Sequence, residues 1–233
     1  MSDHFRRIYA AHADQYDRMV SREDYQGNLL PALERIRPLA GLDVIEFGAG
    51  TGRLTRLLAP LVRSIWAFDA SPHMLGVASD SLREMGLHNW HLAAADNSSL
   101  PVGDSCADLA IEGWSFGHAT GWYPDRWREE IGAALGEMRR VLRLGGTAVV
   151  IETLGTGFET PRPPSPVLGE YYLWLEQEHG FTSSWVRTDY RFESLEEAVE
   201  LTRFFFGDGL AEQVKQHGWI VLPECTGIWW RVY

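Results

Sequence analysis

The run Asp43-Val44-Ile45-Glu46-Phe47 is short and β-branched. It ends in Gly48-Ala49-Gly50-Thr51-Gly52, after which Arg53 to Val62 carries apolar residues at helical spacing. A strand that turns through glycines straight into a helix leaves few folds open. It calls for a buried parallel strand, a tight turn at its carboxyl end, and a helix packed back over the sheet. In open parallel sheets that turn lies on the side where ligands bind. A second strand, Ser64 to Phe68, leads to Asp69, 21 residues beyond Gly48. A carboxylate there can accept both hydroxyl hydrogens of a ribose.

The strand–helix alternation continues along the chain. Ser71-Pro72 opens a helix that Gly86 ends, Trp90 to Ala94 and Ala107 to Ile111 read as strands, and Asp125 to Leu142 is a long helix. Gly145-Gly146 leads into a fifth strand, Gly146 to Glu152. Upstream, the first twenty residues have a helical pattern with Ile8, His12, Tyr16 and Met19 on one face, and Asn28 to Ile36 is a second helix with Pro31 in its first turn. After Leu154 the pattern changes. Pro161, Pro163, Pro164 and Pro166 break regular structure, and an aromatic helix with Tyr171, Tyr172 and Trp174 runs from Pro166 to about His179. Trp185 to Phe192 alternates like one strand. Ser194 and Glu197 form a capping box opening a helix to Phe206. A short helix and two strands follow, Trp219 to Leu222 and Gly227 to Tyr233, which predict an antiparallel hairpin at the sheet edge. The expectation is an α/β chain with a doubly wound, mostly parallel sheet of seven strands in one domain. Residues 1–40 supply N-terminal helices, 41–155 the core, 156–190 a cap or lid inserted after the fifth strand, and 191–233 the elements that complete the sheet.

Composition narrows the function. The formal net charge is −11 with no basic run, which disfavours a phosphate backbone as partner. Cys106 and Cys225 form no CxxC pair, His88 and His91 fall across a turn and strand, and no HExxH or carboxylate cluster suggests a metal. Two free thiols, no apolar signal core in residues 1–20 and no apolar run of membrane-spanning length predict a cytoplasmic protein. A small-molecule substrate is expected, with the chain a monomer or homodimer.

The glycine loop departs from the dinucleotide fingerprint GxGxxG, because its third glycine, Gly52, comes one residue early and Arg53 takes the expected place. Together with Glu46 before it and Asp69 after it, the segment VIEFGAGTGRLTRLL followed by AFDASPHML resembles the cofactor-binding region of class I S-adenosylmethionine-dependent methyltransferases. It is most similar to the small-molecule group that includes the ubiquinone and menaquinone biosynthesis methyltransferases, and the resemblance runs from about Tyr9 to Thr153. It implies a Rossmann-like methyltransferase fold with S-adenosylmethionine as cofactor and S-adenosylhomocysteine as its product. By this resemblance Gly48, Ala49 and Gly50 would pass under the methionine part and Glu46 would face its amino group. Asp69 would take the ribose hydroxyls, while Ala70 and Met74 would line the adenine. Asp96, with Asn97 beside it, would accept from the adenine amino group. Glu112, Gly113 and Trp114 would lie under the reacting end, and Tyr16 would close over the methionine moiety. Leu144 stands where the family often has proline, which touches the turn more than the chemistry. The motifs of DNA-methylating enzymes are absent after the fourth strand.

Methyl transfer from a sulfonium requires the attacking atom about 3 Å from the methyl carbon and in line with the leaving sulfur. A dry, aromatic-lined site favours it, because the positive charge vanishes along the path. His118, in the loop Gly113-Trp114-Ser115-Phe116-Gly117-His118, is the candidate general base. A loop histidine that only hydrogen-bonds the backbone is the plainer alternative. Trp114 and Phe116 form a substrate wall or simply pack. Two other functions stay open. A nicotinamide-dependent oxidoreductase predicts GxGxxG and a Tyr–Lys pair, and the chain has a single lysine, Lys215. A non-catalytic cofactor-binding sensor or partner subunit has nothing in the sequence against it.

Overall fold

Nearly continuous apolar runs make strands that must be covered on both faces, and the core strands behave so. In the computed structural model, which describes residues 2–233, the chain runs α1 (Ser2–Ala11), α2 (Ala13–Val20), α3 (Leu29–Ile36), β1 (Asp43–Phe47), α4 (Arg53–Leu58), β2 (Ser64–Asp69), α5 (Pro72–Glu84), β3 (Trp90–Ala94) and β4 (Ala107–Gly113). A 3-10 turn (Phe116–His118), α6 (Ala119–Trp122), α7 (Trp127–Val141), β5 (Leu142–Thr156) and α8 (Pro166–Gln177) follow. The chain ends with β6 (Thr182–Arg187), β7 (Tyr190–Arg191), α9 (Leu195–Phe206), α10 (Asp208–His217), β8 (Val221–Leu222) and β9 (Glu224–Val232). Met1 lies outside the described residues.

The seven-stranded sheet has the order β3-β2-β1-β4-β5-β9-β6. The first five strands pair in parallel, and β9 lies antiparallel between β5 and β6. The chain moves outward from β1 to β3 and then returns to place β4 on the other side of β1. The loops after β1 and β4 therefore diverge and open a crevice at the carboxyl ends of the strands. One sheet face buries Phe47, Ala110, Val150 and Trp229 under Ile131, Leu135 and Met138 of α7 and Tyr171 and Leu175 of α8. The other buries Val44, Ile65, Ile111 and Ile151 under Leu29 and Leu33 of α3 and Leu54 and Leu58 of α4. A satellite cluster joins Met19 of α2 to Ala198 and Leu201 of α9 and to Tyr190 and Leu222 of the small β7–β8 ribbon.

Four expectations need correction. The N-terminal helix is two helices, broken at His12 (φ −133°, ψ 39°), and His12 is exposed rather than on the buried face. The helix after the glycine loop stops at Leu58, short of Val62. The strand expected from Trp185 to Phe192 is two, because Thr188 and Asp189 turn out of the main sheet to bond the backbone of Asp24 and Tyr25. The last strands do not pair with each other: β9 inserts into the sheet, and β8 pairs β7 outside it. The expected cap, 156–190, accordingly contains a strand of the main sheet, β6.

Trp229 is the keystone of the inserted strand. It is 2% exposed, stacks on Tyr172 at 4.5 Å, and donates from Nε1 to Glu176 Oε1 at 2.9 Å. Trp229→Ala is expected to cost about 3–5 kcal/mol of stability. Urea unfolding would measure it, and a loss below about 1 kcal/mol would show that this ring does not fix β9 against α8.

Candidate functional site

The glycine loop is shaped by what stands behind it. Gly48 has φ +65°, and a Cβ there would collide with Ser115 Oγ, so the β1 loop and the β4 loop touch only because residue 48 has no side chain. Asp69 holds the turn from the end of β2. Its Oδ2 accepts from Gly50 N at 2.8 Å and its Oδ1 from Ser71 N at 2.7 Å. Ser71 in turn caps α5, its Oγ accepting from Met74 N. Burial pushes the Asp69 carboxyl up, against these two bonds that lower it. Glu46, 1% exposed, accepts from Thr55 Oγ1 at 2.6 Å, and burial raises its pKa to about 8.

The loop after β4 is held by two more acids. Glu112 Oε2 accepts from Ser115 N at 3.1 Å and Phe116 N at 3.3 Å, and Glu152 of β5 accepts from Gly117 N at 2.6 Å. Both carboxyls are buried close together, so desolvation and mutual repulsion raise the affinity of the pair for protons. His118 follows on this loop. Burial alone lowers its pKa to about 4, and the ring is neutral at physiological pH. Its Nε2 lies 2.7 Å from the Tyr9 hydroxyl, and the imidazole stacks on Trp122 at 5.0 Å.

The N-terminal helices close the crevice from above. Tyr9 meets Tyr16 edge-on at 5.5 Å, and Ser71 Oγ donates to the Tyr9 carbonyl at 3.0 Å. Ion pairs pin these helices to α4: Arg56 to Asp17 at 2.9 Å, and Arg53 to Glu23 at 2.6 Å. A cavity of about 510 Å³ results.

Of the site residues expected from sequence, Tyr16, Glu46, Gly48, Ala49, Gly50, Asp69, Ala70, Met74, Asn97, Gly113, Trp114 and His118 line this cavity. Asp96 and Glu112 do not. Asp96 is exposed, and its Oδ1 accepts from both the backbone and the hydroxyl of Ser98. Asn97 faces inward instead, donating to Ser115 Oγ at 3.2 Å. Glu112 lies beneath the loop it organises. Sequence reasoning passed over Tyr9, Trp122, Arg53 and Thr55. Tyr9 stands seven residues before Tyr16, a helical spacing that could have exposed it. Trp122 stands four residues after His118 and stacks on it, and Arg53 directly follows the glycine loop, so both had a local signal in their positions.

Glu46 generates a pH prediction. Its folded pKa, about 8, lies above the ordinary value of 4.5, so the stability it contributes is full below pH 4.5 and is lost as pH rises through 8. Glu46→Gln mimics the protonated acid and keeps an acceptor for Thr55. Relative to the parent it is expected to gain on the order of 1–4 kcal/mol between pH 5 and pH 8.5. Urea titrations at the two pH values check this, and an unchanged difference would contradict it.

Comparison with known proteins agrees with the geometry. Residues 44–146 match a family described as a methyltransferase domain. The chain is 31% identical over 142 residues to a malonyl-[acyl-carrier protein] O-methyltransferase of Pectobacterium atrosepticum, covering 61% of this chain and 49% of that one. It is 28% identical over 159 residues to a ubiquinone/menaquinone biosynthesis C-methyltransferase of Rubrivivax gelatinosus, covering 67% and 56%. The chain thus spans about half the length of the curated relatives it matches. A SAM-dependent methyltransferase from Aquifex aeolicus superposes with a TM-score of 0.56 at 16% identity, over 90% of this chain and 95% of that one, a likeness of fold. Sheet order, glycine loop and sequence match agree: residues 44–146 are similar to a methyltransferase domain, set in a fold like that of S-adenosylmethionine-dependent methyltransferases.

Proposed function

We propose that this chain transfers a methyl group from S-adenosylmethionine to a small organic acceptor. One observation carries the reading: a glycine cradle rimmed by Asp69 adjoins a second, aromatic cavity, with Tyr9, Tyr16, Trp114 and His118 common to both walls. The cradle fits the cofactor. Gly48 and Gly50 keep the floor free of side chains, and Asp69 retains lone pairs for a ribose after accepting from Gly50 and Ser71. Glu46 is a buried acid suited to an ammonium group above it. Bound there, the cofactor supplies an electrophilic methyl carbon on a positively charged sulfur.

The chain's own residues do the rest. Tyr16 and Met74 would hold the cofactor against the loop, and Asn97, rather than the exposed Asp96, is the polar side chain facing it. Trp114 borders both the donor side and the acceptor side. His118 would take a proton from the acceptor. The ring is neutral and has a lone pair to offer, while its lowered pKa makes it a weaker base than a free imidazole. Within the expected cap, Pro164 and Leu168 face the acceptor side, and residues 158–164 are exposed. We take this proline loop and the start of α8 as the movable roof.

Two measurements test the reading. Calorimetry should find S-adenosylhomocysteine binding, uncompeted by nicotinamide dinucleotides. Asp69→Ala should weaken it by about 1–3 kcal/mol in a protein that still folds, the scale of hydrogen bonds to a charged acceptor. An unaltered dissociation constant, or tight nicotinamide binding alone, would overturn the assignment. For the roof, a glutamate-specific protease should cut after Glu159 in the free protein, and saturating adenosylhomocysteine should slow that cut. Identical rates with and without ligand would leave the loop a static part of the wall.

A further inference from the structure

Across Trp114 and Tyr16 from the cradle lies a second cavity of about 480 Å³, a size that suits a small organic ligand. Its walls are largely ring faces and edges, among them Phe5, Tyr9, Tyr190 and Phe205. Three carboxylates, Glu23, Glu152 and Glu224, and one guanidinium, Arg53, also face it. One of the three acids is paired with that guanidinium. Arg53 Nη1 donates to Glu23 Oε2 at 2.6 Å, which matches that cation with one acid. Glu152 and Glu224 are 4% and 1% exposed, and among the described residues no basic side chain pairs with either.

Their hydrogen bonds are also incomplete. Glu152 Oε1 accepts from Gly117 N, and Glu224 Oε1 from Thr153 Oγ1, each at 2.6 Å. Glu224 Oε2 is fully buried with no hydrogen-bond partner. A native fold rarely leaves a buried carboxyl oxygen unpaired, and a water or a ligand group commonly completes it. Burial keeps both carboxyls protonated in the free chain, raised above the usual acid range. A cation seated between them would let them ionise. Ring faces carry negative charge density and hold the apolar parts of such a cation, and carboxylates supply its counter-charge.

We propose that this chamber binds an organic ammonium carried on a flat apolar body, with Glu152 and Glu224 as its anionic partners. The inference rests on the methyltransferase reading only in making the bound nitrogen the methyl acceptor: the ammonium would first give one N–H proton to the carboxylate of Glu152 or Glu224, and the freed lone pair would form the N–C bond as the C–S bond breaks and the sulfonium leaves as a neutral thioether. The binding itself follows from the chamber. The net charge of −11 favours the approach of such a ligand.

The test uses the full chain and three probes that share one ring: 2-phenylethylammonium, 2-phenylethanol and 3-phenylpropionate. Each is titrated by calorimetry at pH 7.5, with and without saturating S-adenosylhomocysteine. The ammonium should bind at least about tenfold tighter than the other two, equivalent to about 1.4 kcal/mol. Glu224→Gln and Glu152→Gln should each remove most of that preference while adenosylhomocysteine still binds. Should a glutamine variant fail to fold, the ranking in the parent chain decides. Equal binding of the alcohol, tighter binding of the carboxylate through the unpaired Nη2 of Arg53, no binding of any probe, or a preference that survives both substitutions would each overturn the proposal. Failure of adenosylhomocysteine to bind is a separate result. It would sink the methyltransferase reading and leave the probe ranking to be judged by itself.

Discussion

Carboxylates that accept backbone N–H groups hold the working end of this sheet in shape. Asp69 binds the amides of Gly50 and Ser71, Glu112 those of Ser115 and Phe116, and Glu152 that of Gly117. Asp69 ends β2, Glu112 is next to last in β4, and Glu152 follows Ile151, the last residue of β5 paired in parallel; beyond these points the chain leaves the parallel ladder and its amides lose their partners. A short neutral side chain could satisfy one such amide. A carboxylate satisfies two and fixes the distance between them. Without these bonds, the β1 and β4 loops would not be held at the contact that Gly48 and Ser115 make.

The same device carries a cost that shapes the chemistry. Putting Glu46, Glu112, Glu152 and Glu224 under one set of loops desolvates all four, and burial is the leading cause of every raised pKa among them. Protonated, they behave as neutral hydrogen-bonding groups and the fold tolerates them. Ionised, they would leave the site short of positive charge. Both the cradle, with Glu46, and the chamber, with Glu152 and Glu224, gain most from a positively charged occupant. A cationic cofactor and a cationic acceptor fit that pattern, whereas a phosphorylated substrate would face acids on every side.

How much of this was legible follows from the range of the interactions. The β1 strand, its glycine loop, Asp69 and the Ser71-Pro72 cap are written in adjacent residues, and the structure keeps each of them. The order of the sheet's far edge is not local. Nothing near residues 224–232 states that they insert between β5 and β6; that depends on Trp229 finding Tyr172 and Glu176, some fifty residues upstream. The break at Thr188-Asp189 was hidden for the same reason, since an alternating run looks like one strand until the Asp24 loop claims its carbonyls. Asp96 was placed by resemblance, and a local turn with Ser98 turns its carboxylate to solvent. Glu152 stood at the end of an expected strand, and Glu224 fell between two others. Only the pairing of β5 with β9 turns both toward one cavity.

Trp114 shows how the two cavities are joined. It takes φ +55°, a left-handed conformation that costs a bulky residue roughly 1–2 kcal/mol. Its amide is anchored to the Ile151 carbonyl at 2.7 Å, and its ring lies under the Arg53 guanidinium at 3.9 Å. Arg53 is itself fixed by Glu23, which also accepts from Thr188 Oγ1 at 3.0 Å. One strained backbone position is thus held by β5, the helix after the glycine loop and the turn that leaves β6. These three supports come from parts of the chain far apart in sequence, so the ring is held in place where the two cavities meet. The glycine cradle lies on one side of it and the aromatic rings on the other, with Tyr9, Tyr16, Arg53 and His118 also bordering both.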